Sequence, residues 1–149
     1  MKYSVTVALV SLMLFVYANA EWSPFLFENK YDMLEYMRDE DHFVYILFIY
    51  NSDQGSPENI ERMRKIVFQE RDLIKDYILD VFDNLKYTEL DLAGGQWDDV
   101  IETIGVDVED ALEYPIVVAV DDGLGKWVHG PDLVQLAAPV VRALVERNK

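Results

Sequence analysis

Few residues in this chain of 149 are suited to chemistry, and their spacing narrows the choice further. There is no cysteine, which removes disulfides, thiolate nucleophiles and thiolate-bound metals together. The two histidines, His42 and His129, are far apart, and neither falls in a metal-ligand spacing such as H-x-x-x-H. Each is read as an isolated imidazole. Carboxylates are plentiful, yet no stretch matches a calcium-binding EF-hand loop. Asp121-Asp122-Gly123 runs straight into Leu124 and Gly125, which is the composition of a turn. Ser56 is a hydroxyl at the start of a predicted helix, with neither histidine near it in sequence to act as base. The sequence therefore predicts no catalytic residue, no metal and no cofactor, and the protein is expected not to be an enzyme.

The charge balance excludes some partners. Thirteen Lys plus Arg stand against 28 Asp plus Glu, a net of −15. Phosphate backbones and anionic lipid surfaces both require a basic face, so nucleic acid is not expected as a partner and binding to an anionic membrane surface is disfavoured. The acidity reads first as a solvated surface, and its sharper reading is weak cation binding or a basic protein partner. Half the residues (51%) are hydrophobic, which places the chain among folded rather than disordered sequences. The length suits one domain with a sizeable core.

The N-terminus admits two readings. Lys2, the apolar run Val5–Val16 and the small-x-small triplet Ala18-Asn19-Ala20 have the form of a secretory signal peptide. Cleavage there would remove Lys2 as the sole charge and take the net to −16. Alternatively Ser4–Tyr17 is retained as a short membrane anchor with Trp22 at the interface. A full span needs about 20 apolar residues, so this run would rely on local thinning or on packing against other membrane subunits.

The elements that position the rest follow from periodicity. Phe25-Leu26-Phe27 reads as a short first strand. Lys30–Arg38 reads as a helix with Tyr31, Met33, Leu34 and Met37 near one face. Phe43–Tyr50 (FVYILFIY) is β-branched or aromatic nearly throughout and has no polar alternation, the mark of a strand covered on both faces. Asn51–Ser56 (NSDQGS) is a loop. Ser56-Pro57-Glu58 then supplies a cap, a first-turn proline and an acidic first turn to a helix that keeps its spacing to about Leu79. In that helix Ile60, Met63, Ile66, Val67, Ile74 and Ile78 are expected inward, and Glu61, Arg62, Arg64, Lys65, Glu70 and Arg71 on a solvated face.

A strand is predicted over Lys86–Leu92, broken by Gly94-Gly95, and a short helix over Gln96–Ile104 with Gly105 as its cap. Ile116–Val120 is a second buried strand, introduced by Tyr114-Pro115. Asp121–Gly125 turns into a return strand at Lys126–His129. The last helix, Leu133–Glu146, turns Leu133, Leu136, Ala137, Val140, Leu144 and Val145 one way. No repeat and no linker divides the chain.

Three of these features together resemble the thioredoxin-like superfamily over about Trp22–Lys149. They are an apolar strand running into a loop and a Ser-Pro-started helix, a Tyr-Pro pair directly before the next apolar strand, and a glycine-containing hairpin followed by a closing amphipathic helix. The resemblance implies an α/β, three-layer sandwich with a mixed central sheet flanked by helices. It also implies that Pro115 stands where the family carries a cis-proline; a trans proline starting a strand is the alternative. The family's Cys-x-x-Cys motif falls on Asp53-Gln54-Gly55-Ser56. Those residues provide neither the low-pKa thiolate at a helix N-terminus nor the resolving thiol that the family mechanism needs, so the activity does not transfer.

What the resemblance leaves is shape. In active members the space between the redox loop and the proline loop holds an extended polypeptide by strand-like pairing. Here that groove would be lined by Asp53, Gln54, Gly55, Ser56, Tyr114 and Pro115. Two functions are expected from it. The first is a redox-inactive accessory subunit contacting other proteins in a larger, membrane-bound assembly such as a respiratory complex, anchored through Ser4–Tyr17 with the acidic domain on the non-cytoplasmic side. The second is a secreted or lumenal, chaperone-like peptide-binding protein resembling a non-catalytic protein disulfide isomerase domain. The C-terminus Glu146-Arg147-Asn148-Lys149 is not an ER-retention signal.

Overall fold

The computed structural model describes residues 30–37, 43–122 and 124–148. The N-terminal signal or anchor segment, the strand read at Phe25–Phe27 and His42 lie outside the described residues. Among the described residues no helix is long and apolar enough to cross a membrane.

The strand β1 (Val44–Tyr50) is buried over Val44–Ile49, as its unbroken apolar run predicts. It pairs in parallel with β2 (Leu85–Asp91), Val44 opposite Leu85 and Tyr50 opposite Asp91. On its other side it pairs antiparallel with β3 (Ile116–Asp121), Ile49 opposite Ile116. β3 pairs antiparallel with β4 (Leu124–His129), which gives the order β2-β1-β3-β4. Parallel strands require a crossover, and it is supplied by α2 (Pro57–Ile74). The chain is thus α/β, with a four-stranded mixed sheet.

Because side chains alternate along a strand, one register assigns two cores. Val44, Ile46 and Phe48 with Leu85, Tyr87, Val117 and Ala119 pack under α2 and under α4 (Leu133–Arg147). Tyr45, Leu47 and Ile49 with Leu90, Ile116, Val118 and Val120 pack on the opposite side. There they meet Met33 and Met37 from α1 (Lys30–Tyr36) and its end, and Val100 and Ile101 of α3 (Asp98–Thr103). Trp97, Val106 and Ala111, the last in a 3-10 turn at Val108–Ala111, complete that side. Each fully buried aliphatic side chain contributes about 1.5–3 kcal/mol.

The structure departs from the periodicity reading where packing decides the outcome. Tyr31 is exposed although it shares the periodicity of Met33. α2 begins as predicted: Ser56 Oγ accepts from the Asn59 amide at 3.2 Å and Pro57 occupies the first turn. Beyond Ile74 the helix widens to a π-helical turn at Lys75–Leu79. The wider turn carries both Ile78 and Leu79 into the core, so the helix ends where the sequence places it but with different geometry. α4 buries Leu133, Val134, Ala137, Val141 and Leu144 and leaves Leu136 exposed, a face rotated from the predicted one. It also runs through Pro139, which has no N–H to donate to the preceding turn.

Two close fits hold the hairpin. A Cβ on Gly125 would come within 2.5 Å of the Ala119 carbonyl oxygen, so only glycine fits opposite Val120. Asp121, 4% exposed, accepts from the Arg147 guanidinium at 2.5 Å, which ties the end of α4 to the end of β3.

Where α2 meets the start of α4, Glu70 Oε1 is shielded from solvent and lacks a hydrogen-bond partner among the described residues. Burial raises its carboxyl pKa, and Asp132, at the N-cap of α4, raises it further. The folded state therefore holds the Glu70 proton more tightly than the unfolded chain, whose glutamates titrate near about 4.3. Stability is accordingly lost as pH rises from that value through the folded pKa. Glu70→Gln is expected to raise stability at neutral pH and to flatten its decline above about pH 4.3, measured by urea unfolding across a pH series.

Candidate functional site

The predicted groove residues lie at one end of the sheet. The pairing of Ile49 with Ile116 sets the exit of β1 beside the start of β3. The loop Asn51–Ser56 and the pair Tyr114-Pro115 therefore leave and join the sheet side by side. Pro115 is buried and Tyr114 half-buried.

The loop between β1 and α2 is held largely by its own side chains. Asn51 Oδ1 accepts from the Asp53 amide at 2.9 Å, and Gln54 Nε2 donates to the Asn51 carbonyl at 3.0 Å. Asp53 Oδ1 accepts from the Gly55 amide at 3.2 Å, an Asx turn that brings Gly55 to φ +83°. Asp91 fastens the loop from β2: its Oδ1 accepts from the Ser52 amide and its Oδ2 from Ser52 Oγ, at 3.0 and 2.6 Å. The Asp53 and Ser56 side chains, at the two ends of the aligned motif, are thus engaged by nearby backbone amides.

Their positions relative to the helix differ. The residue at the helix start is Ser56, whose oxygen collects an N–H of the first turn. Asp53 stands three residues before the cap. An anion stabilised by the helix end would sit at Ser56, with Asn59 as its i+3 neighbour.

A second connection comes from α2. Arg62 Nη1 donates to the Glu113 carbonyl at 3.0 Å and Nη2 to the Leu112 carbonyl at 3.4 Å. These carbonyls sit at and just past the C-cap of the 3-10 turn, where acceptors are left over by the helical ladder. The sequence reading placed Arg62 on a solvated face; the side chain is exposed but reaches from α2 to the segment that follows the 3-10 turn.

On the α2 side lies a polar cluster that the sequence reading did not assemble. Arg71 Nε and Nη2 donate to Glu89 Oε2 and Oε1, both at 2.7 Å, a bidentate pair. Tyr87 Oη donates to Glu89 Oε2 at 2.7 Å. Burial pushes the Tyr87 phenol well above its ordinary value, and the hydrogen bond to Glu89 and its charge add to the shift. The Tyr50 phenol is raised first by burial and then by Glu89, with Arg71 opposing. The hydrogen bond to Glu89 likewise raises the Arg71 pKa. The sequence did carry a signal for this cluster. Arg71 stands at i+4 from Val67 and i−3 from Ile74, a charge on the inward stripe, and Tyr87 and Glu89 share one face of β2.

Beside the cluster opens a cavity of about 250 Å³, bounded by Tyr50, Met63, Val67, Phe68, Ile60 and Asp91 among others. Phe68 is 68% exposed and Ile60 38%. His129 is exposed on β4, its ring 5.5 Å from that of Trp127.

No protein-family model and no curated protein matches the chain. Four chains of known structure match it. One of them, a crystal structure of a designed protein, is 18% identical over 87% of this chain and 95% of its own length, with a TM-score of 0.51. At that identity the likeness concerns the fold alone, an α/β chain with a mixed sheet and helices.

Removing the guanidinium would leave the Glu89 carboxylate with the Tyr87 hydroxyl as its remaining donor. Arg71→Met is expected to cost about 1–2 kcal/mol, less than a fully buried pair because Arg71 is partly solvated. Tyr50 and Tyr87 are expected to ionise above the ordinary tyrosine value of about 10 in a phenolate absorbance titration. Since their folded pKa values are raised, folded stability falls as pH climbs past the ordinary tyrosine value of about 10.

Proposed function

We propose that this chain is a redox-inactive protein of thioredoxin-like fold that works by contact, as an accessory subunit of a larger, membrane-bound assembly. The observation that carries the reading is the cysteine-free loop between β1 and α2. At the place where the resemblance puts a dithiol, Asp53 and Ser56 serve the loop and the helix cap, while the exit of β1 and the start of β3 still lie side by side. Helices on both faces of a mixed sheet support the fold part of the proposal. With no thiol to exchange, the groove beside Tyr114-Pro115 has contact as its use. Other proteins are its partners, and Ser4–Tyr17 is the anchor.

A second reading, a secreted or lumenal peptide-binding protein, is favoured by Ala18-Asn19-Ala20. Native electrophoresis of detergent extracts, with N-terminal sequencing of the same band, separates the two. The subunit reading expects migration with an assembly far larger than the monomer and an intact Met1. A free monomer beginning at Glu21 would overturn it in favour of the second.

The scaffold itself is testable by restoring thiols to a chain that has none. Ser56→Cys is expected to give a thiol more acidic than the free value of about 8.5, because the helix end stabilises the thiolate, and more acidic than that of Asp53→Cys. The double variant Ser56→Cys/Asn59→Cys is expected to close a first-turn disulfide and to reduce a disulfide substrate in the presence of dithiothreitol. A double variant that neither closes nor turns over would count against the thioredoxin-like scaffold.

A further inference from the structure

Arg62 makes an unusual choice of partners. Glu58 stands one turn back at i−4, the spacing of a helical ion pair. The Arg62 guanidinium instead donates to two consecutive main-chain carbonyls, those of Leu112 and Glu113, some 50 residues ahead in sequence. The planar fork of arginine can serve two such acceptors at once, which an ammonium cannot match. The carbonyls belong to the segment that ends the 3-10 turn and leads directly into Tyr114-Pro115 and β3. Around that turn Asp110 donates to the Asp107 carbonyl and Leu112 to the Glu109 carbonyl, at 3.0 and 3.1 Å, and Asp107 Oδ1 accepts from the Glu109 amide at 3.1 Å. Short 3-10 segments hold themselves weakly; Ala111 anchors this one in the core, and the Arg62 tie holds its exposed end, Leu112 and Glu113, against α2.

The tie also has a direction. Arg62 is on α2, six residues past the Ser56 cap, and that cap is continuous with the loop Asn51–Ser56. One side chain therefore joins the helix that begins at one wall of the candidate groove to the chain that forms the other wall. We infer that Arg62 is the positioning residue of the groove: it fixes the loop ahead of Pro115 against α2 and so sets the gap between Asn51–Ser56 and Tyr114-Pro115. The importance of that gap rests on the contact function proposed above; the strap itself does not.

Amide hydrogen exchange on the full chain tests the strap, with the Leu112 amide as reporter and the β1 amides as reference. In Arg62→Gln the strap predicts exchange at Leu112 faster by at least about tenfold with β1 unchanged. Arg62→Lys, whose single ammonium reaches one carbonyl, restores part of the protection. Unchanged exchange at Leu112 in Arg62→Gln, or an equal rise across β1, would overturn the inference. Native electrophoresis of the same variant reads the groove separately. If Leu112 loosens and the variant drops out of its assembly, strap and groove both stand. If Leu112 loosens while migration is unchanged, the strap stands and the groove is not the contact surface.

Discussion

The structure depends on the burial of β1 on both faces. Val44–Ile49 offers no polar side chain to solvent, so the strand is stable only where layers cover it above and below. Its register with β2 and β3 distributes Ile46 and Phe48 to one core and Leu47 and Ile49 to the other. A slip of one residue would exchange the two sets. The parallel pairing with β2 demands the crossover that α2 provides, and the antiparallel pairing with β3 brings the loop after β1 next to Pro115. The geometry of the candidate groove is therefore a consequence of how one apolar strand is paired.

The polar interactions refine that frame without creating it. Asp91 pins Ser52, Arg147 reaches the buried Asp121, and Arg71 closes on Glu89 with Tyr87 alongside. Each joins parts that the apolar layers have already brought close, and the two arginines satisfy carboxylates, Asp121 and Glu89, that are largely shielded from solvent. The Arg71 cluster also shows how burial and charge act together. Burial first, and then the Glu89 carboxylate, raises the pKa values of both tyrosines, and the hydrogen bond to the same carboxylate raises that of Arg71.

In the loop at the groove the side chains serve structure. Ser56 caps, Asp53 turns the chain at Gly55, and Gln54 returns to Asn51. A thiol pair placed there would have given these positions up to reactivity. With hydroxyl, carboxamide and carboxylate in their place the loop is held by hydrogen bonds from its own side chains.

Much of this was readable before any coordinate. The absence of cysteine settles the chemistry that the chain cannot do. The apolar runs at Phe43–Tyr50 and Ile116–Val120, the Ser56-Pro57 start and the acidic balance follow from residue type and spacing, because local periodicity and caps are written in neighbouring residues. The tertiary structure decided what spacing cannot express. It moved Leu136 outward and Val141 inward, widened α2 into a π turn at Lys75–Leu79, and turned two arginines from an expected solvated face to partners distant in sequence. Arg62 and Arg71 look alike in sequence, both being charges on one amphipathic helix. Only the placement of Leu112, Glu113 and Glu89 by other elements tells them apart, since a hydrogen bond depends on distance in space, and that distance is set by the packing of the whole sheet.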